Sequence, residues 1–546
     1  MNPLRVLLAS LSSTSMSTGT TFWQDRAKIQ SLADPPSERF LQKIQQEPWR
    51  GGLEPIPVEG IPLHDAVVVE GKIPSDLQGM LCRNGPGRIR IGDSQYGHWF
   101  DSDGLISQLY IDGKNQKATF RAKYVQTERF LAQQQISQTT GQVPMAKAGA
   151  WTKRGRGKWW ENIFAIPTNP SNTNVIFLPK SKDDSSTTPW NLYALAEGGD
   201  PVRMDPITLE TYDTKPFQSA KETIQSTFSA HYKKDPKTGE IFNHGSVLGP
   251  KSKLNVMKLS STGQPLCQRL TDLPNLSFVH DNILSENYFL LLFQPYSAPP
   301  LGLMTSILGG EPVGSQFSWN PKEMPQSLAF VFSKDSLELV AKVPLPILST
   351  YHHIDAFEDP SNSNLITFRT LVHEPPSSRT QLEEGFKDLY SHTKLPICQI
   401  MEFVIDIESA QLVQSRRVVP QAQLCELPDT NTQWGYAKRY LWTNTRTENA
   451  GFLNSLQKVD LVTGDCSEVI SFGDSVYAGN PIFVPKPDAT HEDEGYILSQ
   501  LYRSDDHQSD IAILDASTMR LVTRLRLQSH ITYQFHGEWC AGVFEP

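Results

Sequence analysis

Four of the thirteen histidines share a local context that would suit ligands of a metal ion. Each follows a β-like run, has an aromatic residue within three positions upstream, and leads into a turn or a polar stretch. They are His231 in "TFSAHYKKDP", His280 in "LSFVHDNI", His352 in "TYHHIDAF" and His536 in "TYQFHGEWC". No two of them share a helical turn, so they do not form an H-E-x-x-H zinc site. A common site would require a fold that gathers distant strand ends.

Spacing alone does not establish such a site. A lone histidine at a strand end is more often an ordinary core or surface residue than a ligand. The adjacent pair His352–His353 adds one constraint, because neighbouring side chains of a strand point to opposite faces. Only one of these two histidines can therefore face a common centre.

The elements expected to position these residues are short β-strands joined by turns. Long amphipathic helical patterns are nearly absent after Gly51. One unit recurs, in which an apolar stretch leads to Asp, a Thr three residues later, and a further β-like run. Its clear copies begin at Asp205, Asp235, Asp460 and Asp515, and looser ones at Asp335 and Asp406. Since an Asp side chain can close a turn on the following backbone, the repeats predict hairpins, and hairpins over several hundred residues favour an all-β propeller with large inserted loops. An array of β-sandwiches is the alternative.

Charge and composition argue against several classes of protein. The 546-residue chain has a formal charge of −9, which argues against electrostatic binding of nucleic acid. The six cysteines form no C-x-x-C pair, so a disulfide framework is not expected and a reducing compartment is the default. No apolar run is long enough to span a bilayer.

We expect two parts in the chain. Residues 1–50 predict a tail with short helices, in which the Ser- and Thr-rich start is either a targeting segment or disordered. Residues 51–546 predict a single catalytic β-domain. The protein is accordingly expected in the cytoplasm or in a plastid-type organelle, as a soluble or peripheral membrane protein.

One uncharged insert, Gln294–Gly310, reads "QPYSAPPLGLMTSILGG". A contiguous apolar patch of this kind marks either a membrane or ligand contact, or a lid folded over the core. The sequence leaves these two readings equally open.

Several motifs resemble those of the carotenoid cleavage oxygenase family. The stretches "GMLCRNGPGR" and "HWFDSDGLI" resemble two signatures of that family. "HHIDAFE" resembles a third, with Asp355 where the family has Asn, and "FVHDN" and "FHGEW" also match. The resemblance runs from about Gly51 to the C-terminus, with several motifs in the family's order. The stretches "RNGPG" and "FDSDG" are expected to form tight turns and to stand outside the site.

The resemblance implies a seven-bladed propeller, with loops and short helices forming a dome over an axial Fe(II). The ligands implied are His231, His280, His352 and His536. Carboxylates that orient the ligand rings fall on Glu197 in "LAEGGDP" and Glu426 in "CELPDT". The third such position is Asn480 in "GNPIFV", a departure from the family's Glu. We call Glu197, Glu426 and Asn480 the outer partners.

The resemblance further implies a dioxygenase that splits one conjugated C=C bond of a carotenoid or apocarotenoid into two carbonyl products, with dioxygen as cosubstrate. Counting back from Asp355 makes His352 the ligand and His353 a core residue. Stilbene-type olefin cleavage on the same fold is the nearest alternative, and isomerisation of a retinyl ester a more distant one. A propeller that only binds partners is the alternative from another class. The sequence leaves open the bond cleaved and the oligomeric state.

Overall fold

The computed structural model covers most of the predicted catalytic domain. The described residues are 47–91, 94–96, 98–140, 160, 163, 168–180, 188–213, 226–247, 252–273, 276–310, 312–373, 398–420, 426–447 and 450–542. The tail and short helices expected within residues 1–46 lie outside these ranges. The described chain begins with the 3-10 helix Pro48–Leu53.

The described residues form seven antiparallel sheets of four to six strands. The first four, with strands in spatial order, are as follows. The first sheet contains β1 (Ile61–Asp65), β7 (Lys117–Tyr124), β6 (Asp103–Asp112), β3 (Gln78–Arg88) and β36 (His536–Cys540). The second contains β11 (Thr211–Asp213), β10 (Val202–Met204), β9 (Trp190–Leu195) and β8 (Asn174–Pro179). The third contains β12 (Lys233–Lys234), β13 (Ile241–Val247), β14 (Lys253–Leu259) and β15 (Pro265–Asp272). The fourth contains β17 (Ile283–Leu284), β18 (Tyr288–Phe293), β21 (Ser327–Ser333) and β22 (Leu339–Leu345).

Three further sheets complete the set. The fifth contains β23 (His353–Asp359), β24 (Asn362–His373), β25 (Cys398–Asp406) and β26 (Gln411–Arg417). The sixth contains β27 (Glu426–Asp429), β28 (Tyr440–Thr445), β29 (Ser455–Asp460) and β30 (Ile470–Ser471). The seventh contains β2 (Val67–Gly71), β35 (Leu521–Arg526), β34 (Gln508–Asp515), β33 (Gly495–Arg503) and β31 (Val476–Ala478), with β32 (Ile482–Pro485) also paired to β33. We interpret each sheet as one blade of the predicted β-propeller.

Small elements lie between these sheets. A three-stranded sheet contains β16 (Leu276–Ser277), β19 (Tyr296–Ala298) and β20 (Ser318–Trp319), and a two-stranded ribbon contains β4 (Arg90–Ile91) and β5 (Ser94–Gln95). The helical elements are the 3-10 helix Trp99–Asp101 and the α-helices α1 (Glu128–Thr140), α2 (Pro300–Ile307) and α3 (Val313–Gln316). Among the described residues, no helix combines the length and apolar character needed to cross a bilayer.

The repeated Asp unit forms the expected hairpin turns. Asp205 Oδ1 accepts from the backbone N–H of Ile207 at 2.8 Å and of Thr208 at 2.7 Å, between β10 and β11. Asp235 and Asp460 close the corresponding turns with the residues two and three positions later. Asp515 accepts from the N–H three residues on. These contacts confirm the hairpin interpretation.

Both ends of the described chain are built into sheets. Strand β36, near the C-terminus, pairs with β3 in the first sheet, while β2, near the N-terminus, pairs with β35 in the seventh. This exchange joins the first and last sheets, as closure of a propeller requires.

The core lies between neighbouring sheets. Trp442 of the sixth sheet is fully buried, stacks on Phe483 with ring centroids 4.5 Å apart, and donates its indole N–H to the carbonyl of Ala516. The stacking and the satisfied indole make this sheet contact both apolar and specific.

The "RNGPG" stretch does not form the tight turn that we predicted. It lies within β3, and its glycines allow close packing instead. A Cβ on Gly85 would lie 2.5 Å from Cα of Gln534. The second stretch, "FDSDG", leads into β6, where the carboxylate of Asp103 pairs with buried Arg88 and Arg129. Both stretches have structural roles, as expected. These roles are close packing and buried charge pairs.

Candidate metal centre

The four predicted histidines come from four different sheets. His231 shortly precedes β12, His280 shortly precedes β17, His352 directly precedes β23, and His536 opens β36. Each of these strands is the terminal strand of its sheet. Because these terminal strands converge, residues far apart in sequence reach one centre.

The rings of these histidines are in mutual contact. The His231 ring centroid lies 4.2 Å from that of His280, 5.2 Å from that of His352 and 4.6 Å from that of His536. The His352 centroid lies 5.0 Å from that of His280 and 5.1 Å from that of His536. The structure therefore gathers all four residues that the sequence analysis singled out.

Three of them offer donor atoms close enough to hold one metal ion. One nitrogen each of His231, His280 and His352 lies within 4.8 Å of the other two. Nε2 of His280 and Nε2 of His352 are 3.4 Å apart, and Nε2 of His231 is buried with no hydrogen-bond partner among the described residues. Converging, unpartnered imidazole nitrogens fit a cation, which would accept their lone pairs.

Burial keeps three of the four rings neutral. It lowers the pKa of His231, His280 and His536 well below the usual value, and each also loses basicity to a neighbouring histidine that would carry the same charge. Since a metal ligand must present a deprotonated nitrogen, the lowered pKa values favour ligation.

Glu426 makes a short contact with one histidine ring. Its Oε2 lies 2.6 Å from Nδ1 of His352 and also accepts the backbone N–H of Leu427 at 2.8 Å. Burial acts to raise the pKa of Glu426, but the close contacts with His352 and His373 outweigh it and hold that pKa well below its usual range. An ionised carboxylate on Nδ1 requires a proton there, which leaves Nε2 of His352 free to bind a metal.

Glu197 lies farther from the histidine rings. Its Oε1 lies 3.5 Å from Nδ1 of His280 and 3.8 Å from Nε2 of His231, and has no hydrogen-bond partner among the described residues. Burial, together with the nearby negative charge of Asp281, raises the pKa of Glu197 well above its usual value. The structure thus places Glu197 beside two of the histidines, without a direct hydrogen bond.

Asn480 is buried beside the same region. It donates its side-chain N–H to the carbonyl of Leu427 at 2.8 Å, next to Glu426. This contact ties the loop before β32 to the strand that carries Glu426. Its role as an outer partner of a ligand ring stays a prediction.

The neighbouring histidines point to opposite sides, as predicted. While His352 joins the cluster, Nδ1 of His353 lies 2.7 Å from the hydroxyl oxygen of Thr370 on β24. The backbone N–H of His353 donates to Asp281 at 2.9 Å. His353 is therefore a packed residue of the fifth sheet.

Asp355, the departure from the family's Asn, has a structural explanation. Its carboxylate pairs with the buried guanidinium of Arg369, with Nε–Oδ1 2.8 Å and Nη2–Oδ2 2.5 Å, and accepts the backbone N–H of Lys438 at 2.7 Å. A buried guanidinium needs an anionic partner, which Asn could not supply.

Two residues beside the cluster were not predicted from the sequence. Nε2 of His373, at the end of β24, lies 2.6 Å from Oε1 of Glu426. The ring of Tyr351 lies between those of His280 and His373, at centroid distances of 5.5 and 5.6 Å. His373 ends the apolar run "LITFRTLVH", a signal related to the one that identified the four histidines.

The apolar insert Gln294–Gly310 combines features of both earlier readings. Its β19 is buried, and Tyr296 and Phe317 contact Phe278, whose ring stacks on that of His280. Helix α2 turns apolar side chains outward, with Leu301 76% exposed. The insert therefore covers the core next to the histidines and also exposes an apolar surface.

Comparison with known proteins agrees with this architecture. The family described as retinal pigment epithelial membrane protein matches residues 54–541. Apocarotenoid-15,15'-oxygenase of Synechocystis sp. is 30% identical over 527 residues, covering 93% of this chain and 99% of the relative. The protein thus belongs to the retinal pigment epithelial membrane protein family, that is, the carotenoid cleavage oxygenases.

Other relatives and solved structures extend the similarity. Beta,beta-carotene 15,15'-dioxygenase of Gallus gallus is 26% identical and covers 86% of this chain and 94% of its own. Carotenoid cleavage dioxygenase 8, chloroplastic, of Arabidopsis thaliana is also 26% identical, covering 91% and 84%. Crystal structures of Synechocystis apocarotenoid oxygenase, one of them cobalt-substituted, superpose with a TM-score of 0.77 at 27% identity over 90% of this chain and 98% of theirs. The β-propeller prediction is confirmed.

Proposed function

We propose that the protein is an Fe(II)-dependent dioxygenase that cleaves a conjugated C=C bond of a carotenoid or apocarotenoid to give two carbonyl products. The observation that carries this proposal is the 30% identity to an apocarotenoid oxygenase over nearly the whole of both chains, combined with a buried histidine cluster at the centre of the same fold.

Iron is proposed from the donor set. His231, His280, His352 and His536 are assigned as its ligands, although the ligand atoms of only the first three lie within 4.8 Å of one another. Neutral imidazoles suit a borderline metal such as iron, and a set without carboxylate ligands leaves the ion its full charge. Bound Fe(II) would supply the activation of dioxygen.

The chain's own side chains would hold and shield this centre. Glu426 fixes the tautomer and orientation of His352, and Glu197 is placed to act similarly on His280. Phe278 and Tyr351 line the cluster with aromatic rings, which favour an apolar polyene over water.

Stilbene cleavage and pure partner binding are less well supported. The relatives described above are named for carotenoids or apocarotenoids. A propeller that only binds partners has no need for neutral histidines gathered in its interior, because unpaired buried polar atoms cost stability.

The first test measures metal and products together. We expect about one Fe(II) per chain, loss of activity with a strong chelator, and recovery with ferrous salt. Mass analysis of products from carotenoids, apocarotenals and stilbenes should find carbonyl fragments from one of the first two classes. Stoichiometric zinc with full activity would exclude iron, and products from stilbenes alone would exclude the proposed substrate class.

We also propose that α2 mediates peripheral membrane contact. Leu301, Met304, Ile307 and Leu308 are 76%, 47%, 36% and 51% exposed, and together they form a contiguous apolar surface on an uncharged segment. An exposed apolar patch next to the covered centre would let a lipid-dissolved polyene enter without crossing water. The cytoplasm or a plastid-type organelle remains the proposed location.

A further inference from the structure

Glu426 is bridged between two buried histidine rings. One carboxylate oxygen, Oε2, contacts Nδ1 of His352 at 2.6 Å, and the other, Oε1, contacts Nε2 of His373 at 2.6 Å. The His373 side chain is only 5% exposed. Both atoms are buried, and their 2.6 Å separation makes this a close polar contact. Both oxygens of Glu426 are thus engaged, on opposite sides.

The backbone fixes His373 relative to His352. The N–H of His373 donates to the carbonyl of Ser349 at 2.7 Å, and the N–H of Leu371 donates to the carbonyl of His352 at 3.1 Å. The end of β24 is thereby tied to the segment that leads into His352. His373 occupies its position because of the sheet, and the carboxylate must adapt to it.

We propose that His373 is a positioning residue of the metal centre. By contacting Oε1 it holds the carboxylate of Glu426 in the one orientation in which Oε2 meets His352, and so fixes the His352 ring. This inference rests on the proposed function, in which His352 binds the metal.

The other outer partners lack such a brace. Oε1 of Glu197 lies 3.5 Å from Nδ1 of His280 and 3.8 Å from Nε2 of His231, and Asn480 carries no charge. Removing the contact of His373 would leave one Glu426 oxygen buried and unengaged, so the carboxylate would turn toward other donors and release His352. Replacing His373 should therefore change the orientation of the His352 ring and not that of the other rings.

The test compares three substitutions in the full chain. His373→Phe keeps a ring of similar shape and removes the polar contact. His373→Gln can place an N–H near the position of Nε2, whereas His373→Asn places its N–H near the position of Nδ1. Affinities for Fe(II) and Co(II) are measured by competition with a chelator, and the Co(II) absorption spectrum reports ligand geometry. Co(II) is a suitable probe because a related oxygenase has been crystallised with cobalt.

We expect His373→Phe and His373→Asn to weaken metal affinity roughly 10- to 100-fold and to shift the Co(II) spectrum. His373→Gln should stay within a few-fold of the wild type. His353→Gln is the matched control, since His353 is equally buried in the same pair of strands but contacts Thr370 instead of a carboxylate. This control should keep wild-type metal affinity.

Three results would overturn the inference. Wild-type affinity and spectrum in His373→Phe would show that the contact positions nothing. If His373→Phe fails to fold, equal metal affinities of His373→Gln and His373→Asn would also show that the contact positions nothing. Equal losses in all three variants and in the His353→Gln control would show a general packing effect. A wild-type protein that binds neither metal would instead refute the proposed function itself.

Discussion

Replacing the two adjacent histidines one at a time should separate metal binding from packing. His352→Ala removes a proposed ligand together with the partner of Glu426, so we expect loss of iron and of all activity from a folded protein. His353→Ala should keep most of its iron and lose mainly stability.

The stability cost at His353 can be estimated from its contacts. The hydroxyl of Thr370 loses its 2.7 Å contact with Nδ1 of His353. It keeps its hydrogen bonds to the hydroxyl of Thr350 at 2.9 Å and to the carbonyl of His352 at 3.2 Å. Because no buried hydroxyl is left unpartnered, the lost hydrogen bond should cost only about 1 kcal/mol. The vacated ring volume adds a cavity cost, for a total of roughly 2–4 kcal/mol.

Two assays are needed, and they must be kept apart. Metal content is measured by elemental analysis of the purified variants. Unfolding is followed with a chelator present, because bound metal stabilises the native state and would hide the packing effect. Iron retained by the His352 variant and lost from the His353 variant would place the strand register one residue off and refute the reasoning.

Two other substitutions test the surroundings of the centre. Glu426→Gln should leave the fold intact and weaken iron retention or turnover on the order of 10- to 100-fold, while Asn480→Ala should do less because it removes no charge; equal damage from both in metal titrations would reverse this ranking. Replacing Leu301, Met304 and Leu308 by Ser should weaken liposome association while iron content stays normal, and unchanged sedimentation with liposomes would argue against membrane contact through α2.

The four histidines could be predicted because each carries two independent signals. A β-run ending in His shows where a strand meets a loop, and the surrounding motif indicates which strand ends meet. The choice of His352 over His353 needed the family motif as well as the alternation of a strand, and the structure places His352, not His353, in the histidine cluster.

Other features depended on partners that are distant in sequence. In the sequence, Asp355 is only a departure from a motif. In the structure, its carboxylate pairs with the guanidinium of Arg369. "RNGPG" reads as a turn because glycine permits unusual backbone angles, yet Gly85 is required by the close approach of Gln534. Composition and local pattern cannot distinguish a glycine needed for backbone conformation from one needed for packing.

The outer partners hold the rings unequally, which bears on how the site tolerates Asn480. An ionised Glu426 requires the proton of His352 on Nδ1, so the lone pair of Nε2 faces inward. Nε2 of His280 lies 3.4 Å away, and two lone pairs at that distance repel unless a cation or a proton lies between them. A proton on Nδ1 of His280, the nitrogen that lies 3.5 Å from Glu197, would leave Nε2 of both rings free, and a metal ion would then be the better occupant. A rigidly held His352 ring would thus favour metal binding at His280, and we expect a change at Asn480 to affect metal affinity less than a change at Glu426.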